Sequence, residues 1–186
     1  MSKKIEIINI PNILTVIRIL AVPFCAYALF KDHGANHTWQ FIAAGGFFAV
    51  GMTDFADGRI ARSRKQITAF GEFMDPVADK IAIGTALIGL SMLGRLWWWV
   101  SIVILIREVG ITIMRLTIIK KVVIPANKGG KLKTLMQGFA LLFYILPLPS
   151  YLSLPRDIFM AVALVLTIVT GWDYVKAIRS VQKSSD

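Results

Sequence analysis

Apolar residues gather in six long runs along this chain, at 12–30, 39–62, 68–94, 97–121, 130–148 and 155–178, with short polar stretches between them. Each run is close to or above the roughly 20 residues a helix needs to cross a bilayer. Helix signals mark their ends. Pro11-Asn12 opens the first run and Leu154-Pro155 the last, and proline suits a first helical turn because its missing N–H has no partner there anyway. Turn-forming stretches at 125–130 and 147–150, rich in Pro, Gly, Asn and Ser, separate the later runs. The pattern predicts an all-α integral membrane protein with six transmembrane helices. A juxtamembrane segment, 1–11, precedes one six-helix domain over 12–182; its residues 5–10 are amphiphilic and suit the inner membrane face.

Composition agrees. Of 186 residues, 56% are hydrophobic, and the mean hydropathy of +0.65 exceeds that of ordinary soluble domains of this length. The first run resembles a cleavable signal, with Lys3 and Lys4 before it and Ala26-Tyr27-Ala28 near its end. Arg18 interrupts its apolar core, however, and five more runs follow, which favours a retained helix. Cys25 is the single cysteine, so no internal disulfide forms.

Charge supplies the orientation. The net charge is +10, yet the basic residues lie between apolar runs rather than on a soluble module, which argues for anionic lipid and against nucleic acid as partner. Lys3, Lys4 and Arg18 stand at one end. Arg59, Arg62, Arg64 and Lys65 follow the second run, Lys120, Lys121, Lys128, Lys131 and Lys133 follow the fourth, and Lys176, Arg179 and Lys183 close the chain. The other side has Lys31, Arg95 and Arg156. The positive-inside rule then puts both termini, and the connection after the second run, in the cytoplasm of a multi-pass cell-membrane protein. Trp97, Trp98 and Trp99 fit an interfacial belt on the outer side, and His33 and His37 fall in a polar outer loop without further ligands.

Four acids stand out against this background: Asp54, Asp57, Asp75 and Asp79. A carboxylate near the middle of a membrane helix costs roughly 2.5–3.5 kcal/mol on insertion scales, so a group of four calls for a compensating partner. Asp54, Asp57, Gly58, Ala61 and Arg62 fall at i, i+3, i+4, i+7 and i+8, one stripe of a helix. Gly71, Asp75 and Asp79 make a second stripe on the next helix, and the short link at 63–67 makes the two neighbours. Gly and Ala between the acids let a ligand approach closely. Hard divalent cations, Mg²⁺ or Mn²⁺, take such oxygen ligands and keep positions open for phosphates; two of them can grip a pyrophosphate. Acids in a membrane also mark ion paths, as in a cation transporter, but these gather at one end instead of spanning the bilayer.

At these residues the chain resembles the CDP-alcohol phosphotransferase family, whose signature D-x2-D-G-x2-A-R-x8-G-x3-D-x3-D is met by Asp54, Asp57, Gly58, Ala61, Arg62, Gly71, Asp75 and Asp79. The resemblance implies a six-helix membrane fold, usually a homodimer, that passes a substituted phosphoryl group from a CDP-linked donor to an alcohol and releases CMP. It implies two metal ions held by the four aspartates, Asp79 as general base, and Gly58, Ala61 and Arg62 beside the nucleotide. Asn12, Thr15 and Arg18 are plausible additions there, with Thr53 a further candidate. Ile10-Pro11-Asn12-Ile13-Leu14-Thr15-Val16-Ile17-Arg18, then Arg107-Glu108 with Thr112 and Arg115, and Gly130-Lys131-Leu132-Lys133-Thr134-Leu135-Met136-Gln137 resemble the branch of that family that uses CDP-diacylglycerol and glycerol 3-phosphate. Myo-inositol phosphate and phosphatidylglycerol are the alternative acceptors.

An acceptor carrying a dianionic phosphate needs fixed positive charge. Arg107 lies near the centre of the fourth run, an expensive place for a guanidinium without an anion, and Arg115 lies two turns on along almost the same face. Lys131 and Lys133 begin the fifth helix, where free backbone N–H groups also attract phosphate. These four are the expected acceptor-phosphate ligands, the alternative being that Arg107 pairs with Glu108. The segment after Pro147 carries no motif beyond a last helix.

Overall fold

The computed structural model describes residues 10–64, 69–118 and 128–183, and over these the chain is helical without strands. Six α-helices run in order: α1 (Ile10–Phe30), α2 (His37–Arg64), α3 (Ala69–Met92), α4 (Trp98–Ile118), α5 (Lys128–Ile145) and α6 (Ser153–Lys183). Each matches one apolar run, and the largest difference falls at the end of the last, 178 expected against Lys183 observed. At 1.5 Å per residue the shortest helix, α5 with 18 residues, is about 27 Å long.

Two of the apolar stretches, Asn12–Gly34 and Ser150–Lys176, are long and apolar enough by themselves to cross a membrane. The other helices are diluted by the charged residues that make the sequence informative, such as Asp75, Asp79 and Lys80 in α3 and Arg107 and Glu108 in α4. Large apolar side chains nevertheless point outward on every helix, among them Leu20, Phe24, Phe48, Ile88, Ile106, Leu135 and Val165. Trp97, Trp98 and Trp99 are exposed as well. A surface this apolar is a docking or lipid-facing surface rather than a water-facing one.

The described residues pack as two compact units. The first runs to Arg95 and includes Ile145–Pro147; the second comprises Leu96–Tyr144 and the residues from Leu148 on. In the first, α1 packs against both α2 and α3. Val22, Cys25, Val50 and Ala82 form a buried cluster flanked by Ala21 and Phe47. Small residues dominate the interior, with Ala28, Ala43, Ala44, Ala78 and Ala86 all buried, so close van der Waals approach holds these helices together. Gly46 shows why. A β-carbon built there would lie 2.7 Å from the sulfur of Cys25, so only glycine allows α2 this close to α1.

A tight turn, Lys31–Gly34, joins α1 to α2, with Asp32, His33 and Gly34 all in the left-handed region (φ 52°, 55° and 73°). The carbonyl of Gly34 accepts hydrogen bonds from Gln40 Nε2 and, at 2.8 Å, from Arg95 Nη2, while Arg95 Nη1 donates to the Ile145 carbonyl at 3.2 Å. Arg95 thus ties three chain segments together. His33 sits in the turn and His37 opens α2, so they do not share a helix face as a metal pair would. In the second unit α4 packs on α6, and Tyr144 of α5 donates to Asp157 of α6 at 2.8 Å under the Arg156 guanidinium, 4.5 Å from the ring.

Candidate active site

In the first unit, Asn12, Thr15 and Arg18 recur at three-residue spacing along one side of α1 and are all buried. None of them is without an interaction partner. The hydroxyl of Thr15 donates to Asp75 Oδ1 at 2.6 Å, across 60 positions of chain. A short bond to a carboxylate is among the stronger kinds, and here it fixes Asp75 from a different helix. Thr15, expected beside the nucleotide, is therefore in contact with an expected metal ligand.

Asp75 and Asp79 lie one turn apart on α3, partly accessible, with Gly71 buried one turn earlier. Ala78 between them is fully buried. The predicted stripe of Gly71, Asp75 and Asp79 is thus present on one helix, its acids half in contact with solvent. Lys80 pairs with Asp79 Oδ2 at 2.8 Å, a neighbouring countercharge that the spacing argument did not single out. Pro76, inside α3, cannot donate to the carbonyl four residues back, so the helix lacks one ladder bond in the turn that carries Asp75. Thr53 turns its hydroxyl back to the Ala49 carbonyl at 2.6 Å, which occupies its donor within its own helix.

Asp54, Asp57, Gly58, Ala61 and Arg62 lie on the C-terminal part of α2; their side chains fall outside the described residues, as do those of Arg115 and Lys131. Among the described residues no group of three or more His, Cys, Asp or Glu side chains is assembled. The part of the donor set that is described, two carboxylates on one helix face with a hydroxyl bonded to one of them, is all oxygen. That chemistry suits hard divalent cations.

In the second unit, α4 carries Arg107 and Glu108 at its middle. Glu108 is only 3% exposed, and its Oε1 receives both Arg107 Nη1, at 3.2 Å, and the ammonium of Lys133 from α5. Arg107 Nη2 donates to the Thr170 hydroxyl of α6 at 3.0 Å, and that hydroxyl donates in turn to the Leu166 carbonyl at 2.6 Å. A β-carbon on Gly171 would stand 3.2 Å from Arg107 Cγ, so the arginine stem lies directly over the glycine. The segment after Pro147, expected to add little beyond a last helix, supplies in that helix the seat of Arg107, through Thr170 and Gly171. A pair of hydroxyls at i and i+3, Thr167 and Thr170, in the apolar middle of α6 was the available signal. The Arg107–Glu108 pair raised as an alternative is present, and two cations on one carboxylate still leave one positive charge. Gln137, one turn beyond Lys133 on α5, is buried and went unassigned in the sequence.

The family model for CDP-alcohol phosphatidyltransferases matches residues 8–169, nearly the whole chain. The chain belongs to this family. Curated CDP-alcohol phosphatidyltransferase relatives align over most of their own length. One from Mycobacterium tuberculosis, named probable phosphatidylglycerophosphate synthase, is 47% identical over 178 residues, covering 95% of this chain and 85% of the relative. Two named CDP-diacylglycerol–glycerol-3-phosphate 3-phosphatidyltransferase are also similar. That of Rickettsia felis is 35% identical, with 92% of this chain and 96% of the relative covered, and that of Bacillus subtilis is 34% identical, with 89% and 93% covered. Thr170 and Gly171 fall just past the last residue that the family model matches.

The Thr15–Asp75 bond has a testable consequence. Residues that hold a metal ligand in place typically contribute 10- to 100-fold to metal affinity, so Thr15→Val should raise the divalent-ion concentration at half-maximal activity by about tenfold. Activity at saturating metal should change much less. Titration of CMP release against Mg²⁺ measures both; an unchanged midpoint would leave Thr15 to the nucleotide alone.

Proposed function

We propose that this chain transfers the phosphatidyl group of CDP-diacylglycerol to sn-glycerol 3-phosphate, yielding phosphatidylglycerophosphate and CMP. The observation that carries this reading is the complete eight-position aspartate signature, placed on α2 and α3 of a family member whose relatives bear those names over most of its length. Exposed apolar side chains on all six helices support embedding in a bilayer. The distribution of basic residues supports six spans with both termini and the site on the cytoplasmic side, and the resemblance to the family supports a homodimer.

Asp54, Asp57, Asp75 and Asp79 would hold two Mg²⁺ or Mn²⁺ ions, which supply charge neutralisation at the donor's pyrophosphate when bound. Thr15 keeps Asp75 in position through its hydroxyl. Gly58, Ala61 and Arg62, with Asn12, Arg18 and Thr53, border the cytidine nucleotide. Asp79 accepts the proton of the acceptor's primary hydroxyl as its oxygen attacks the lipid-side phosphorus. The new O–P bond forms as the phosphoanhydride bond to CMP breaks, and CMP leaves with the bridging oxygen. Positioning and charge do most of the work in such transfers.

Arg107, Arg115, Lys131 and Lys133 receive the acceptor's phosphate. Support comes from buried Glu108 and Lys133 with partly buried Arg107, a group whose surplus positive charge in an apolar setting suits an anion. The deciding experiment measures CMP release from CDP-diacylglycerol with glycerol 3-phosphate, myo-inositol phosphate and phosphatidylglycerol in turn. Product only with glycerol 3-phosphate is expected, and preference for either other acceptor would replace the assignment. In the same assay Arg107→Gln should raise the KM for glycerol 3-phosphate by about tenfold or more while leaving that for CDP-diacylglycerol nearly unchanged. Equal effects on both substrates would remove Arg107 from the acceptor pocket.

A further inference from the structure

Gln137 is 1% exposed, and among the described residues neither its Nε2 nor its Oε1 has a hydrogen-bond partner. Its situation differs from that of other buried polar side chains of the second unit. Glu108 and Lys133 are paired, Thr167 bonds the Ala163 carbonyl and Thr170 bonds both Arg107 and its own helix. Burying an amide without partners is costly, and native proteins rarely leave one so unless something else fills the role.

The position of Gln137 says what that partner is. It lies four residues after Lys133, hence on the same face of α5 and about 6 Å further along the axis. One turn beyond it the face becomes apolar and closed, with Ala140 and Leu141 buried. Along this face the chain therefore presents a cation, then a neutral amide, then buried apolar side chains. A phosphate accepts hydrogen bonds only and would leave Oε1 unmatched; a metal ion would leave Nε2 unmatched. An alcohol hydroxyl both donates and accepts, and matches both ends of the amide.

We propose that Gln137 is a specificity-determining residue that recognises the secondary hydroxyl of the acceptor, next to the phosphate held at Lys133. This rests on glycerol 3-phosphate being the acceptor. A site built to bond a hydroxyl rejects the analogue lacking it, because the amide is then left unpaired.

The test compares sn-glycerol 3-phosphate with 3-hydroxypropyl phosphate, which keeps the attacking hydroxyl and the phosphate but lacks the secondary hydroxyl. CMP release is measured on the full chain with CDP-diacylglycerol in detergent micelles. The wild type should favour glycerol 3-phosphate by about a hundredfold in kcat/KM, and Gln137→Met, nearly the same shape without the amide, should cut that preference at least about tenfold. Gln137→Asn, with the amide drawn back by one methylene, should also reduce it. The KM for CDP-diacylglycerol should stay within about twofold in both variants. An unchanged preference, or an equal loss with both acceptors, overturns the assignment. So does failure of both variants to accumulate as folded protein, which would mark the amide as structural. A wild type inactive with glycerol 3-phosphate fails before any variant is made, and thereby identifies the acceptor reading as the faulty premise.

Discussion

Asp79→Asn should lower turnover by about a thousandfold, within the range that a positioned general base contributes, while CDP-diacylglycerol still binds. The substitution keeps size and hydrogen-bonding shape but removes the proton acceptor. Asp79 is suited to the role by where it stands. It is the partly accessible end of the α3 stripe, one turn beyond Asp75, and its partner Lys80 is an exchangeable neighbour at 2.8 Å rather than a distant helix. Asp75, in contrast, is fixed by Thr15 from α1. The two acids of one helix thus have different freedom, one restrained and one available. Pre-steady-state CMP release together with equilibrium binding of the donor separates the two effects. Near-normal turnover in the variant would transfer the base role elsewhere; loss of donor binding in parallel would make Asp79 a ligand only.

Removal of divalent cations by EDTA should abolish CMP release, and Mg²⁺ or Mn²⁺ should restore it. Asp75→Ala should need far more metal, on the order of a hundredfold, and should weaken donor binding with it. Without countercharge, a pyrophosphate brought beside four carboxylates meets repulsion at every approach in a medium of low dielectric constant. The joint loss of metal and donor affinity is the diagnostic outcome. Full activity in EDTA would show that the acids serve another purpose, and a donor affinity untouched in Asp75→Ala would take that residue out of the cage.

Most of the helical framework could be read from the sequence because apolar runs long enough for a bilayer have few other ways to satisfy their backbone. The start of α1 and the ends of α3 and α4 fall within three residues of the expected limits. The Gly71–Asp75–Asp79 stripe was legible for a similar reason, since spacings of four place side chains on one face without any tertiary information. What the sequence concealed were contacts between distant positions. Nothing local pairs Thr15 with Asp75, 60 residues apart, or Arg107 with Thr170, 63 residues apart. Glu108 was visible only as the neighbour of Arg107, and that it also holds Lys133 of another helix depends on packing. The division into two compact units likewise has no counterpart in composition. Gln137 stood in the open within a recognisable run, but an amide declares itself only when burial leaves it without a partner.

The sulfur of Cys25, lodged against Gly46 and almost wholly enclosed, gives the protein a practical property. A membrane-impermeant maleimide will pass over the native thiol while the fold is intact. Cysteines introduced singly into the polar connections can therefore be tagged from one side or the other of sealed vesicles without first altering the natural residue. Such labelling maps the sidedness of each connection directly, and modification of Cys25 itself becomes a built-in alarm for unfolding.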